Sequence, residues 1–305
     1  MMLEEVLKQA DEMQASDIHL CPCNKGYRVL FRIAGKLSQF IKLPPNNLIN
    51  RLKIMADLDL SESRRSQEGQ FQSRINQQEY FIRVSIIATQ KGEKVALRLL
   101  RQQTVRKIED LDFSPSLATE VKTALSLDTG LFLVCGATGA GKTTTLYACL
   151  DALNNGEKAI FTIEDPVEYE IDDYFQCEPQ PAISVTPSQL LKSFMRQDPD
   201  VILIGELRDA QTAQLAIAAA LTGHMVFATL HSNSALDAIH RLESWQVDFF
   251  ALSSVIRLII HQKMYFKQQK ANPIFSALKP NWTVNSRPKY YQDLTQNLTL
   301  WQTYN

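Results

Sequence analysis

Gly136-Ala-Thr-Gly-Ala-Gly-Lys-Thr143 fits the pattern G-x-x-x-x-G-K-[ST] without a mismatch, and its flanks decide the fold class. Leu131-Phe-Leu-Val-Cys135 reads as a buried strand entering the loop, and Thr144-Thr-Leu-Tyr-Ala-Cys-Leu-Asp-Ala152 as a helix leaving it. Glycines let backbone N–H groups turn inward around a phosphate, and a helix N-terminus adds positive potential. In such a loop Lys142 reaches the β- and γ-phosphates, and the Thr143 hydroxyl holds Mg²⁺. Gly136, Ala137, Thr138, Gly139, Ala140, Gly141, Lys142, Thr143 and Thr144 are therefore expected to wrap the phosphates of ATP.

The rest of the chain accommodates such a site. Its 305 residues are enough for two domains, and 45% apolar with 21% charged residues permits buried cores. A net charge of -1 offers no general attraction for nucleic acid, which needs clustered Lys and Arg. No direct nucleic-acid binding is expected. No run of about eighteen uncharged apolar residues predicts a transmembrane helix. The start, Met1-Met-Leu-Glu-Glu-Val-Leu-Lys-Gln-Ala10, is acidic and helix-like rather than a signal peptide. Five cysteines without a repeated C-x-x-C pair point to a reducing, cytoplasmic compartment. Cys21-Pro-Cys23 supplies at most half a zinc site; the other reading is a pair of ordinary thiols at a strand end.

The pattern divides the chain. Residues 1–103 read as an α+β domain: a helix from Leu3 to Met13, strands near 16–20, 27–33 and 36–40, a helix near 45–56, and three further strands over 70–74, 79–87 and 94–100. Residues 104–116 read as a polar linker, with Pro115 suited to a first helical turn. From 117 to 265 apolar strands alternate with helices, the sign of a mainly parallel α/β sheet. Its strands are predicted near 131–135, 159–163, 201–204 and 225–230, and a helix over 210–222 is closed by Gly223. Residues 266–305 show no motif and are left as a tail without a role.

Hydrolysis also needs acids near the metal and groups that neutralise γ-phosphate charge. Val201-Ile-Leu-Ile204 ends in Gly205-Glu206, where a Walker B acid stands, so Glu206 is expected to activate water and hold Mg²⁺ partly through water. Ala159-Ile-Phe-Thr-Ile163 ends in Glu164-Asp-Pro-Val-Glu168, on the side of a parallel sheet where ligands bind. Glu164 is the candidate to face the γ-phosphate; Asp165 and Glu168 either hold the loop or pair with an arginine. His224 and His231 bracket the last strand and are candidate reporters of the γ-phosphate. Arg83, Arg98 and Arg101 either solvate a sheet face or deliver guanidinium charge to the phosphates.

Together these segments resemble the secretion and type IV pilus assembly ATPase family, the GspE/PilB/PilT-like hexameric motors, over roughly residues 15 to 265. The loop resembles its Walker A, and Ile163-Glu-Asp-Pro-Val-Glu-Tyr169 its Asp box. Residues Arg196 to Asp209 are similar to its Walker B region, and Thr222 to Ser234 to its His box. Upstream, Ala15-Ser-Asp-Ile-His19, Arg83-Val-Ser85 and Val95-Ala-Leu-Arg-Leu-Leu100 also resemble family segments. The resemblance implies a PAS-like N-terminal domain, a RecA-like ATPase domain and a ring of six with ATP and Mg²⁺ between the domains. It implies Glu206 and Glu164 as catalytic acids, His231 and His224 near the phosphates, and Arg83 and Arg98 reaching them. It also implies a cytoplasmic motor docked on a polytopic platform protein at the inner face of the membrane.

Two departures narrow the resemblance. The chain starts almost at the PAS-like domain, and no cysteine follows Cys177, so the tetracysteine zinc module of many members is not expected. This short form, with Arg64-Arg-Ser-Gln67 before Gly69, is similar to the competence pilus ATPases of Gram-positive bacteria. Retraction motors are also short, but residues 266–305 do not match their acidic helical end.

Overall fold

The computed structural model describes residues 3–304 apart from 34, 45–46, 102–104, 181–182, 268–269 and 284–285. The chain forms two compact units, Met1–Gln103 and Thr104–Asn305.

The first unit is α+β. Helix α1 (Leu3–Glu12) buries Leu3, Val6, Leu7 and Ala10, the i, i+3, i+4, i+7 stripe of an amphipathic helix. Strands β1 (Asp17–Cys23), β2 (Gly26–Ile33) and β3 (Lys36–Leu43) precede helix α2 (Leu48–Met55). Strands β4 (Gln67–Ile75), β5 (Gln78–Thr89) and β6 (Gly92–Arg101) complete a sheet ordered β3-β2-β1-β6-β5-β4, antiparallel throughout. Strand alternation sends Ile18, Leu20, Val29, Phe31, Val84, Val95 and Leu97 into the core shared with both helices. The intervening positions put Arg32, Asp17, Arg98 and Arg83 in register across four neighbouring strands.

The second unit is α/β. A short 3-10 turn (Ile108–Asp110) leads into helix α3 (Pro115–Leu125), whose first turn takes Pro115 and whose Ser114 hydroxyl accepts from the Leu117 N–H. Then follow β7 (Gly130–Cys135), α4 (Lys142–Leu153), β8 (Ile160–Ile163), β9 (Tyr174–Cys177), α5 (Pro187–Phe194), β10 (Val201–Ile204), α6 (Ala210–Leu221) and β11 (Met225–Leu230). Helices α7 (Ala235–Ser244) and α8 (Phe249–Val255), strands β12 (Ile256–Lys267) and β13 (Lys270–Pro280), helix α9 (Tyr291–Gln296) and strand β14 (Trp301–Tyr304) finish the chain. The sheet order is β14-β13-β12-β7-β11-β10-β8-β9. It is parallel from β12 to β9, and β13 and β14 are added antiparallel. Every residue of β7, β8, β10 and β11 is buried, as expected where both faces of a parallel sheet are covered.

Two boundaries differ from the sequence reading. Ile108 and Leu111, inside the predicted linker, are buried in the core beneath α3 and α4; residues 102–104 lie outside the described residues. The tail without a role is a sheet extension: Lys270–Leu278 pairs with β12, and Trp301–Tyr304 pairs with Ala277–Pro280. Trp301 and Leu294 enter the core. Polar residues interrupt these strands because they stand towards the sheet edge, so the alternation that marks a half-buried strand is blurred.

Candidate functional site

The phosphate loop occupies the carboxyl edge of β7 and runs into α4. Gly136 and Gly141 carry φ of +151° and +83°, a region that side chains rarely adopt. A Cβ at Gly136 would also stand 2.2 Å from the Gln262 carbonyl oxygen, so the position admits only glycine. Lys142 is 9% exposed and donates from Nζ to the carbonyls of Gly136 and Ala137, each at 3.0 Å. Burial pushes its pKa below the usual lysine range, and the negative charge of Glu206 opposes that shift. Thr138, Gly139, Gly141, Lys142 and Thr143 line a cleft of about 590 Å³, which Glu164, Glu206 and His231 complete. The first-turn amides of α4, which lack intrahelical partners, start at this cleft.

Glu206 follows β10 and receives two cationic or polar partners. Its Oε2 accepts from Arg208 Nε at 2.6 Å, and its Oε1 lies 3.0 Å from His231 Nε2. Arg208 Nη1 also donates to Asp165 Oδ2 at 2.9 Å, tying the acids after β8 and β10 together. His231 Nδ1 stands 3.1 Å from the Gly136 carbonyl while Nε2 faces the Glu206 carboxylate; both partners only accept, so the ring donates to both when each nitrogen carries a proton. One imidazole thereby stands between Gly136, the first residue of the phosphate loop, and Glu206. The Thr229 hydroxyl donates to the Gly205 carbonyl and fixes the turn that presents Glu206.

Glu164 has a different setting. It is 5% exposed and accepts from Tyr147 Oη at 2.8 Å to either oxygen, from Thr162 Oγ1 at 2.7 Å and from Gln176 Nε2 at 3.3 Å. Burial pushes its pKa above the ordinary carboxylate range, and the hydroxyl and amide donors pull against that shift. The Glu164 carboxyl therefore holds a proton more readily than a surface acid does.

Two other predicted residues of this unit, His224 and Thr144, do not line the cleft. His224 stands at the amino end of β11: its carbonyl accepts from Gly130 N at 3.1 Å, whereas the phosphate loop leaves the far end of β7. Its Nδ1 lies 2.9 Å from the Ala219 carbonyl. Assigning His224 to the nucleotide is corrected on that ground, because parallel register puts a whole strand length between it and Gly136 of the same chain. Thr144 hydrogen-bonds to Tyr169 and does not line the cleft. In the first unit, Arg98 Nε pairs with Asp17 Oδ1 at 3.0 Å, and Arg83 stands opposite Arg98 in register. The Arg101 side chain lies outside the described residues. Among the described residues no group of three or more His, Cys, Asp or Glu is arranged to hold a metal. Sequence reasoning passed over Arg208, Tyr147 and Gln176; Arg208 was visible as the basic residue two places after Glu206.

A glycine loop between a buried parallel strand and a helix, with a lysine on its carbonyls and acids after two further strands of the same sheet, defines a P-loop domain of the RecA-like class. The chain belongs to the type II/IV secretion system protein family, whose model matches residues 1–290. It is 41% identical to type II secretion system protein E of Xanthomonas campestris pv. campestris over 280 residues, 90% of this chain and 49% of that protein. It is 39% identical to the type IV pilus assembly ATPase PilB of Thermus thermophilus over 266 residues, 86% of this chain and 30% of that protein. The chain spans about half the length of the type II secretion relatives it matches. Among solved structures, the pilus retraction motor PilT with bound ADP superposes with a TM-score of 0.76 at 27% identity, covering 98% of this chain and 87% of that one. The ATPase DotB of Legionella pneumophila shares the fold with the same TM-score of 0.76 at 21% identity.

Proposed function

We propose that this protein is a motor ATPase that couples ATP hydrolysis to assembly of a competence-type, type IV pilus-like pseudopilus for DNA uptake. It works as a hexameric ring at the cytoplasmic face of a polytopic platform protein in the membrane. The observation that carries the reading is the convergence of Lys142, His231, Glu206 and Glu164 on one cleft beside the phosphate loop. The glycine cradle and the Lys142 ammonium fit a polyphosphate, and the Thr143 hydroxyl with Glu206 supplies oxygen donors for a magnesium ion. When bound, Mg²⁺ neutralises charge on the β- and γ-phosphates. Lys142 binds those phosphates, Glu206 orients and deprotonates the attacking water, and His231 keeps Glu206 in register with the loop. Glu164, in its ionised form, is placed to accept a proton during turnover.

Assembly is favoured because type II secretion E and PilB proteins stand at 39–41% identity. The second reading is retraction, supported by the match to PilT over 87% of that chain. Replacing Glu206 by Gln in the native host, then counting surface pili and DNA uptake, separates them. Loss of both fibres and uptake supports assembly. Abundant fibres with impaired uptake would show a retraction motor.

A further inference from the structure

Strand β12 does more than widen the sheet. It pairs with β7 up to His261 opposite Cys135, so the next residue, Gln262, runs alongside the phosphate loop. Gln262 is 2% exposed and touches the loop at both ends. Its carbonyl oxygen stands where a Cβ on Gly136 would project, at 2.2 Å, and its Nε2 is 2.8 Å from the corresponding point on Gly141. Its Oε1 accepts from Thr145 Oγ1 at 2.8 Å, in the first turn of α4, and Thr145 is fully buried. The start of the loop, its end and the helix it feeds therefore share one neighbour. Gln262 does not line the cleft, so any influence on nucleotide passes through the loop.

Glycines give the loop the conformations that a phosphate cradle needs, and they also leave more freedom to be lost on binding. A buried brace that fixes the cradle in advance removes part of that cost. We propose that Gln262 is a positioning residue that pre-organises the phosphate loop for nucleotide, linking the loop to the β12–β13 hairpin. The proposal rests on the nucleotide-binding reading above.

The test uses the full chain and a fluorescent ADP analogue, with ATP turnover measured in parallel. Loss of one buried hydrogen bond and its packing in Gln262→Leu is expected to raise the Kd for the analogue and the KM for ATP about tenfold, with kcat within about twofold. Thr145→Val should match it, Thr145→Ser should restore the wild-type values, and the double variant should be no worse than either single one. Circular dichroism and thermal unfolding establish that each variant folds; if Gln262→Leu does not, the Thr145 pair carries the test. Unchanged affinity in Gln262→Leu or Thr145→Val, or an effect confined to kcat, overturns the inference while leaving the wild-type site intact. A wild-type chain that binds no nucleotide would overturn both the inference and the proposed function.

Discussion

Glu164 and Glu206 end neighbouring strands of one sheet, yet the chain gives them opposite surroundings. Ile163 stands opposite Ile204 in the parallel register, so Glu164 follows its strand directly and Glu206 follows one residue later, after Gly205. Gly205 N donates to the Ile163 carbonyl at 2.7 Å, and a Cβ there would stand 3.1 Å from that same oxygen. The inserted glycine carries the second acid further outward, to Arg208 and His231 at the cleft. The first acid stays beneath, among the neutral donors Tyr147, Thr162 and Gln176. A one-residue offset is enough to separate an acid held by charge from one held by neutral hydrogen bonds and burial.

The comparison is broken most forcefully at Glu206. Glu206→Gln keeps the shape and the Arg208 contact but removes the proposed base, so turnover is expected to fall about 10²- to 10⁴-fold with nucleotide affinity little changed. Glu164→Gln is expected to cost less, about 10²-fold, and to remove an acid limb from the pH dependence of kcat. A larger loss at Glu164 than at Glu206 would exchange their roles. Glu164→Gln also has a stability signature. The folded-state pKa of Glu164 lies above its ordinary 4.5, so between the two values the folded chain binds more protons than the unfolded one. Its contribution to stability is therefore retained at low pH and falls as pH rises from 4.5 through the folded value. Thermal unfolding between pH 4 and 8 should show Glu164→Gln gaining on wild type as pH increases.

A smaller effect is expected at Tyr147. Its hydroxyl stabilises the ionised Glu164 carboxylate, so Tyr147→Phe pushes the Glu164 pKa further up and moves the acid limb of the kcat profile to higher pH. A pH–rate comparison with wild type checks the direction. No movement of that limb would mean that Glu164 does not titrate in the rate-limiting step.

How much of this was legible follows from the kind of interaction. The phosphate loop, β7, β8, β10 and β11 could be read because fully buried parallel strands are continuous apolar runs and the glycine spacing is local. Glu206 and Glu164 followed from their places at the ends of those runs. Gln262 could not be read this way: it acts on Gly136 and Thr145 across more than a hundred residues, and a polar residue in an apolar stretch carries no mark of its partner. Tyr147 and Gln176 were hidden for the same reason, since only the packing of α4 and β9 brings them to Glu164. His224 shows the converse: it and His231 were read as bracketing one strand beside the Val201–Ile204 strand, and only the carboxyl end, where His231 stands, meets the cleft.

The smallest expected effect sharpens what holds Glu206. Arg208 is 61% exposed in its side chain, as is Asp165 at 60%, and pairs in that setting add little to stability. Arg208→Gln should therefore change folding stability by less than about 1 kcal/mol, a shift of no more than about 3 °C in Tm. Glu206 loses its Oε2 donor but keeps His231 on Oε1, so turnover should fall by at most about tenfold. Raised salt, which screens the exposed pair, should bring wild type towards the variant. If Arg208→Gln instead costs as much turnover as Glu206→Gln, the arginine acts on the phosphates themselves. Charge at the cleft would then be serving the transition state directly, rather than only holding the acid.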